Sequence, residues 1–216
     1  MHSSVIVGRL KPGSTEDVVG AFAKLDGAPS GTRKLLRRQL FAYKGVYIHL
    51  QDHTEDNLTE VVEHGAGAAL APFVDAYGPA AGTAPSDLVA TRFYEWHGQP
   101  VTDEHRMYST MIVARLDPAD IGTVAKLFGD FDSGTELPHT MGTRRRQLFA
   151  YNGLYFHIQD FESDNGGRLI EQAKSDPRFV QIQKDLLPYI HVFDPETWRS
   201  PSDAMAQRFY TWQVAA

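Results

Sequence analysis

The chain contains no cysteine, which removes disulfides, thiolate nucleophiles and cysteine-based zinc sites together and fits a reducing compartment. No run of about 18 apolar residues reads as a membrane-spanning helix. The opening stretch "MHSSVIVGRL" lacks the charged head, apolar middle and small-residue cleavage site of a secretory signal. The expectation is a cytoplasmic protein with no membrane partner. Cationic side chains are also in deficit, 21 Lys and Arg against 27 Asp and Glu, for a formal net charge of −6. That balance argues against nucleic acid as a partner, because phosphate binding needs clustered cations that displace counterions. The trio Arg144, Arg145 and Arg146 is too short to reverse it. No GxSxG elbow, P-loop or GxGxxG fingerprint occurs, which sets aside serine hydrolases, nucleotide hydrolases and classical dinucleotide enzymes. Outside the hairpins described below, His2, His53, His64, His97, His105, His139 and His191 show neither HExxH nor another compact ligand spacing, so no metal site is expected.

What the chain does have is a repeat. The stretch "RRQLFAYKGVYIHLQD" ends at Asp52 and "RRQLFAYNGLYFHIQD" ends at Asp160, 108 positions later. With 216 residues, 42% of them hydrophobic, the chain can bury two cores of about 100 residues each. Each copy opens on an alternating apolar run that reads as a strand, "SSVIVGRL" or "STMIVARL". A turn with proline and helix-start residues follows. A helical stretch comes next, Val18 to Leu25 or Val124 to Phe131, then the hairpin, a second helical region and a closing strand, Thr91 to Trp96 or Gln207 to Trp212. The order is β-α-β-β-α-β twice, the ferredoxin-like α+β plan. Its expected units are residues 1–98 and 106–216, joined by a polar linker from His97 to Arg106. A sheet with helices on one face leaves the other bare, so the two repeats are expected to pack as an intrachain dimeric α+β barrel, a pseudo-dimer within one chain.

Asn152-Gly153 is a strong two-residue turn signal because both positions require positive φ, and Lys44-Gly45 occupies the matching place with weaker chemistry. Such a turn sets Ala150 opposite Tyr155, Leu148 opposite His157 and Arg146 opposite Gln159, all on one face. Arg38, Leu40, Ala42, Tyr47, His49 and Gln51 form the equivalent face in the first copy. The other face, with Phe149, Tyr151, Leu154, Phe156 and Ile158, is expected to meet the helices. The mixed face of Arg, Tyr, His and Gln reads as a pocket lining.

The stretch "LDPADIGTVAKLF…D…TELP…G.RRRQLF…LYFHI" (Leu116 to Ile158), with the later "DPRF" and "FYTW", resembles the tetracenomycin-type aromatic polyketide cyclases, small ferredoxin-like proteins that pair as dimers. The resemblance covers essentially all of the second repeat. In the first it rests mainly on the hairpin and closing strand, and "TELP" has no counterpart there. It implies an enzyme that folds a poly-β-ketone chain, promotes an intramolecular aldol condensation and assists the dehydration that makes the ring aromatic, without metal or organic cofactor. By position, the catalytic residues it implies are Arg146, His157 and Asp132. Phe131 stands where the family has a histidine before the acid. In the first repeat Arg38 and His49 align without a gap, and Asp26 only with one. The implied partners are an aromatic polyketide intermediate and components of a polyketide synthase, with homo-oligomerisation through outer surfaces left open.

These groups suit the chemistry in their own right. A histidine titrating near neutrality can take a proton from a methylene between two carbonyls and later return one to a departing hydroxyl. An arginine can stabilise the enolate oxygen as charge develops. Tyr155, Gln159, Tyr47, Arg38 and His49 are candidate substrate-binding groups. The bland alternatives are a structural His157, an Arg146 ion-paired with Asp132 or Glu136, an Asp132 that solvates a loop, tyrosines at the core edge, and first-repeat residues that only shape their lobe. Two other functions remain open beside a cyclase: a cofactor-free quinone-forming monooxygenase, and a non-catalytic subunit that holds the nascent polyketide.

Overall fold

The computed structural model describes residues 1–27, 35–56, 67–78, 85–98 and 107–214. In the first repeat β1 (His2–Leu10) leads to α1 (Thr15–Gly27), then β2 (Leu35–Tyr43), β3 (Val46–His53), the single turn α2 (Gly67–Leu70), a short β4 (Val74–Ala76) and β5 (Thr91–His97). The second repeat follows the same plan with β6 (Tyr108–Leu116), α3 (Ile121–Gly134), α4 (Leu137–Thr140), β7 (Arg145–Tyr151), β8 (Leu154–Phe161), α5 (Gly166–Ala173), α6 (Pro177–Leu186), β9 (Ile190–Val192) and β10 (Gln207–Gln213). Two antiparallel five-stranded sheets result, in the orders β10-β2-β3-β1-β4 and β5-β7-β8-β6-β9. The fold is a tandem ferredoxin-like α+β architecture. Most of the expected linker lies outside the described residues, as do residues 57–66 and 79–84 between β3 and β5.

The closing strands do not stay with their own repeats, as the sequence reading had placed them. β5 pairs with β7 and β10 pairs with β2, so the compact units are Met1–Ala90 with Gln207–Ala216, and Thr91–Ala206. The short β4 and β9, unforeseen in the sequence, explain the exchange. Each pairs with the first strand of its own repeat and completes the βαββαβ plan there, which leaves the outer edge of β2 or β7 open. An unpaired edge is satisfied by another strand, and the partner repeat supplies it.

The hairpins behave as their sequences dictate. Asn152 and Gly153 sit at φ 47° and 76°, and Lys44 and Gly45 at 46° and 81°. Two positive φ values make each a primed turn whose twist matches the strands. The expected registers are found, with Ala150 opposite Tyr155, Leu148 opposite His157 and Arg146 opposite Gln159, and Leu40 opposite His49 in the first copy.

The assignment of faces is reversed. In the second unit Val124 and Phe128 of α3 pack on Leu148 and Tyr155, and in the first Val18 and Phe22 of α1 pack on Leu40 and Tyr47. The helices therefore cover the face that carries arginine and histidine. Hydrophobicity misled because both faces are buried: Phe149, Phe156 and Ile158 are as inaccessible as Leu148. Alternation marks two faces without saying which one a helix covers.

Candidate active site

On α3 the buried residues are Val124, Phe128, Phe131 and Asp132, spaced i, i+4, i+7 and i+8. That spacing is one stripe of a helix, so Asp132 is carried onto the sheet one turn beyond Phe128. A carboxylate on such a stripe needs a partner. It finds Arg146 of β7, whose Nε lies 2.9 Å from Oδ2. Nη1 of the same guanidinium is 2.7 Å from Nε2 of His157, opposite on β8 one row along. Phe128 meets the His157 ring edge-on at 5.0 Å, and the guanidinium lies over Phe128 and Phe131 at 5.0 and 5.7 Å. Phe131, which replaces a histidine expected from the resemblance, thus gives the arginine an aromatic face in place of a second titratable group.

Burial and Arg146 together set the protonation states. His157 is held well below its ordinary range, first by burial and then by the adjacent guanidinium, so the imidazole is neutral near pH 7. Since the guanidinium can only donate, Nε2 is the acceptor and the ring proton is assigned to Nδ1. Burial raises the Asp132 carboxyl above its usual value, and Arg146 and a hydrogen bond from Tyr94 pull it part of the way back. Burial likewise pushes the Tyr155 hydroxyl up, so it stays protonated. Tyr155 is 1% exposed and its hydroxyl has no hydrogen-bond partner among the described residues.

A cavity of about 420 Å³ opens beside these groups, within the usual range for a small-molecule site. Arg146, His157, Tyr155 and Gln159 line it together, against mostly apolar walls that include Phe128, Phe131 and Ile182. Ile112 and Ala114 on β6 add to the floor, and α6 supplies a long side, with its N-terminus capped by Asp176 accepting from the Arg178 N–H. Of the groups expected at the site, Asp132 stands directly behind Arg146. Arg38, His49 and Tyr47 are in the first unit and do not line this cavity. There they form a related cluster, with Phe22 edge-on to His49 at 5.0 Å and Arg38 3.6 Å from Asp26. Among the described residues no group of three His, Cys, Asp or Glu side chains could hold a metal, and no helix is long and apolar enough to cross a membrane.

Two features escaped the sequence reading. The first is Tyr94, whose hydroxyl donates to Oδ2 of Asp132 at 2.9 Å, from a strand that the order of elements places with the first repeat. The second lies on the opposite face of the sheet. There Arg145 is 2.6 Å from Asp160, which also accepts from Ser109 at 2.5 Å, and Arg37, Asp52 and Ser3 repeat the set in the first unit. The signal was present in the repeat itself, an arginine and an aspartate bracketing each hairpin.

Residues 2–97 and 108–213 each match the family described as polyketide synthesis cyclase. An uncharacterised protein of Streptomyces coelicolor is 43% identical over 108 residues, which is 50% of this chain and 96% of that protein. The tetracenomycin F2 cyclase of Streptomyces glaucescens is 37% identical over 105 residues, 49% of this chain and 94% of that enzyme. A putative monooxygenase from Fusobacterium nucleatum shares the fold alone, with a TM-score of 0.57 at 9% identity over 98% of this chain and 93% of its own. Matched twice along its length, the chain belongs to the polyketide synthesis cyclase family, and the two Streptomyces relatives align over nearly their whole length with about half of it.

Proposed function

We propose that this chain directs the intramolecular aldol cyclisation of an aromatic polyketide intermediate and the dehydration that follows, with Arg146 and His157 as catalytic residues and Asp132 holding the arginine. The observation that carries the reading is that Arg146 and His157, in contact with each other, line a mostly apolar cavity of about 420 Å³ with Asp132 held against the arginine from behind. Asp132 engages Nε and His157 faces Nη1, which leaves Nη2 for a ligand oxygen. A ketone oxygen drawn to that cation arrives beside a neutral imidazole, the protonation state a base requires.

The reaction is a sequence of proton transfers. His157 takes a proton from a methylene between two carbonyls at Nε2 once Arg146 Nη1 turns from that nitrogen to the developing enolate oxygen, whose growing charge it stabilises. The enolate carbon forms a bond to a second carbonyl carbon, whose oxygen receives the proton back. Loss of a neighbouring C–H proton and of that hydroxyl as water gives the conjugated ring. One water leaves and no electrons are gained or lost, so neither dioxygen nor a redox cofactor enters the balance. The apolar walls favour one folded geometry among competing closures, which lowers the entropic part of the barrier. The Tyr155 hydroxyl supplies a buried donor for a ketone or phenol oxygen, and Gln159 a second, its amide 3.5 Å from the Thr143 hydroxyl.

The test is product identification. Purified protein is incubated with an aromatic-polyketide intermediate, aerobically and anaerobically, and products are compared with spontaneous closure. Formation of one dehydrated ring system at equal rates in both atmospheres is the expected result. Dependence on dioxygen would make the protein an oxygenase. A product distribution unchanged from the spontaneous one would make it a binding subunit.

A further inference from the structure

We propose that Tyr94 is a positioning residue of the second unit's site, contributed by the closing strand of the first repeat; this rests on reading Asp132, Arg146 and His157 as the cyclase site. Tyr94 lies 38 positions before Asp132 in the sequence, yet its hydroxyl is 2.9 Å from Oδ2 of Asp132, the same oxygen that lies 2.9 Å from Arg146 Nε. A carboxylate held only by the arginine can rotate about its own bond. Held also by the phenol, it fixes the plane of the guanidinium and with it the approach of Nη1 to His157.

A register shift in β5 makes the contact. Arg92 pairs with Phe149, but the next partnered residue is Tyr94, opposite Leu148, with Phe93 left over between them. In an unbroken ladder Phe93 would stand opposite Leu148, and Tyr94 would be opposite Gln147 on the far face. The extra residue turns Tyr94 and Trp96 to the face of Arg146 and His157, a known use of bulges near sites. The first unit repeats the device. A shift between Arg208 and Tyr210 of β10 brings the Tyr210 hydroxyl 2.8 Å from Asp26. Two bulges at matching places, each delivering a phenol to the helix-borne aspartate behind an arginine, argue for a built feature. Neither repeat alone holds all four members of the set.

The groups that face Asp132 are Tyr94 from β5, Arg146 from β7 and, by charge, His139 from α4; Arg146 in turn faces His157 and Tyr155 from β8. The Tyr94 hydrogen bond favours the carboxylate form of Asp132. Its loss would move protonation of Asp132, and release of Arg146, to higher pH.

The experiment compares full-length Tyr94→Phe, Tyr210→Phe and the parent in two ways: kcat and KM for cyclisation across pH, and the titration of the Asp132 carboxyl followed by 13C NMR. Loss of one hydrogen bond to a charged group predicts roughly a tenfold fall in kcat with little change in KM. The acid limb of kcat and the carboxyl titration should both rise by about one pH unit in Tyr94→Phe and stay put in Tyr210→Phe. A fall in kcat without movement of either titration would overturn the proposal, as would an unchanged kcat. If no polyketide is cyclised by the parent, the carboxyl titration alone decides the Tyr94 assignment while the functional reading falls.

Discussion

Nη1 of Arg146 stands 2.7 Å from Nε2 of His157, while Nε of the same guanidinium is 2.9 Å from Asp132. One fixed cation therefore joins a buried carboxylate to a half-buried neutral imidazole. Taking the arginine away strands the carboxylate, because Asp132 is 2% exposed and retains only the Tyr94 hydroxyl.

Arg146→Met is accordingly expected to destabilise the protein by about 3–5 kcal/mol, the typical cost of breaking a buried pair from one side. Asp132→Asn combined with Arg146→Met should recover a large part of that loss, since the uncompensated charge is gone. Urea unfolding of the parent, both single variants and the double variant measures it. A double variant no more stable than Arg146→Met would mean that the ion pair is not the source of the loss.

The neutral imidazole has a consequence for acid stability. Its folded pKa is depressed, so above about pH 6.5 both folded and unfolded His157 are neutral and no dependence arises. As pH falls below about 6.5 the unfolded ring takes a proton that the folded ring refuses, and stability drops by up to about 1.4 kcal/mol per pH unit. The raised carboxyl of Asp132 has the opposite sign, since the folded state binds its proton first and that contribution fades as pH rises through the folded value. Unfolding free energies at pH 5, 6, 7 and 8 should show a shallower decline for His157→Gln than for the parent. Parallel declines would show that His157 is not the group refusing the proton.

How far the sequence discloses these features depends on whether the information is local. Hairpin register was legible because Asn152-Gly153 and Lys44-Gly45 impose positive φ on a two-residue turn, and register then follows by counting. The grouping of Arg146, His157, Tyr155 and Gln159 followed from the same count. The destination of β5 was not legible, because strand exchange depends on which edge is left open, and that edge is defined by β9, only three residues long. Tyr94 was hidden for the same reason, with the bulge at Phe93 as a second obstacle. The helix-covered face was misread because a helix that supplies Asp132 turns an arginine into an acceptable neighbour, a pairing that residue-by-residue hydrophobicity does not register. The Arg145–Asp160 pair, directly cross-strand, could have been found by asking which charges repeat in step.

Packing beneath the cavity gives a steric prediction. A Cβ at Gly166 would lie 2.4 and 2.5 Å from ring carbons of Phe161 and 2.8 Å from Thr110 Cγ2. Phe161 is 1% exposed and has little room to yield, so Gly166→Ala should push the start of α5 away from the sheet. The expected cost is about 1–3 kcal/mol, typical of overpacking. Ile170 on the same helix lines the cavity, so weaker substrate binding should accompany it. At Gly167 the nearest atom to an added Cβ is Met205 Cε at 3.5 Å, an ordinary contact with a flexible side chain. Gly167→Ala is the control and should be near neutral in thermal unfolding and in KM. Equal effects of the two substitutions would point to the helix backbone rather than to Phe161.

The two units predict unequal chemistry. Both place arginine, histidine and aspartate in related positions, but the described cavity lies in the second, where Arg146 and His157 line it. The second repeat also carries "TELP" and the polar α6 that walls the cavity, neither of which has a match in the sequence of the first. His157→Ala should therefore lower the rate of cyclised product formation by about 10² to 10⁴, the range for loss of general acid-base catalysis. Arg146→Met should lower it through weaker stabilisation of the enolate oxygen, measured under conditions where the variant remains folded. His49→Ala and Arg38→Met should do less, because the first unit's cluster then serves to hold its own lobe. Near-ultraviolet circular dichroism on all four variants separates lost folding from lost chemistry. Equal losses from both units in folded protein would indicate two working sites, and a loss confined to the first-unit variants would transfer the active site to Arg38 and His49.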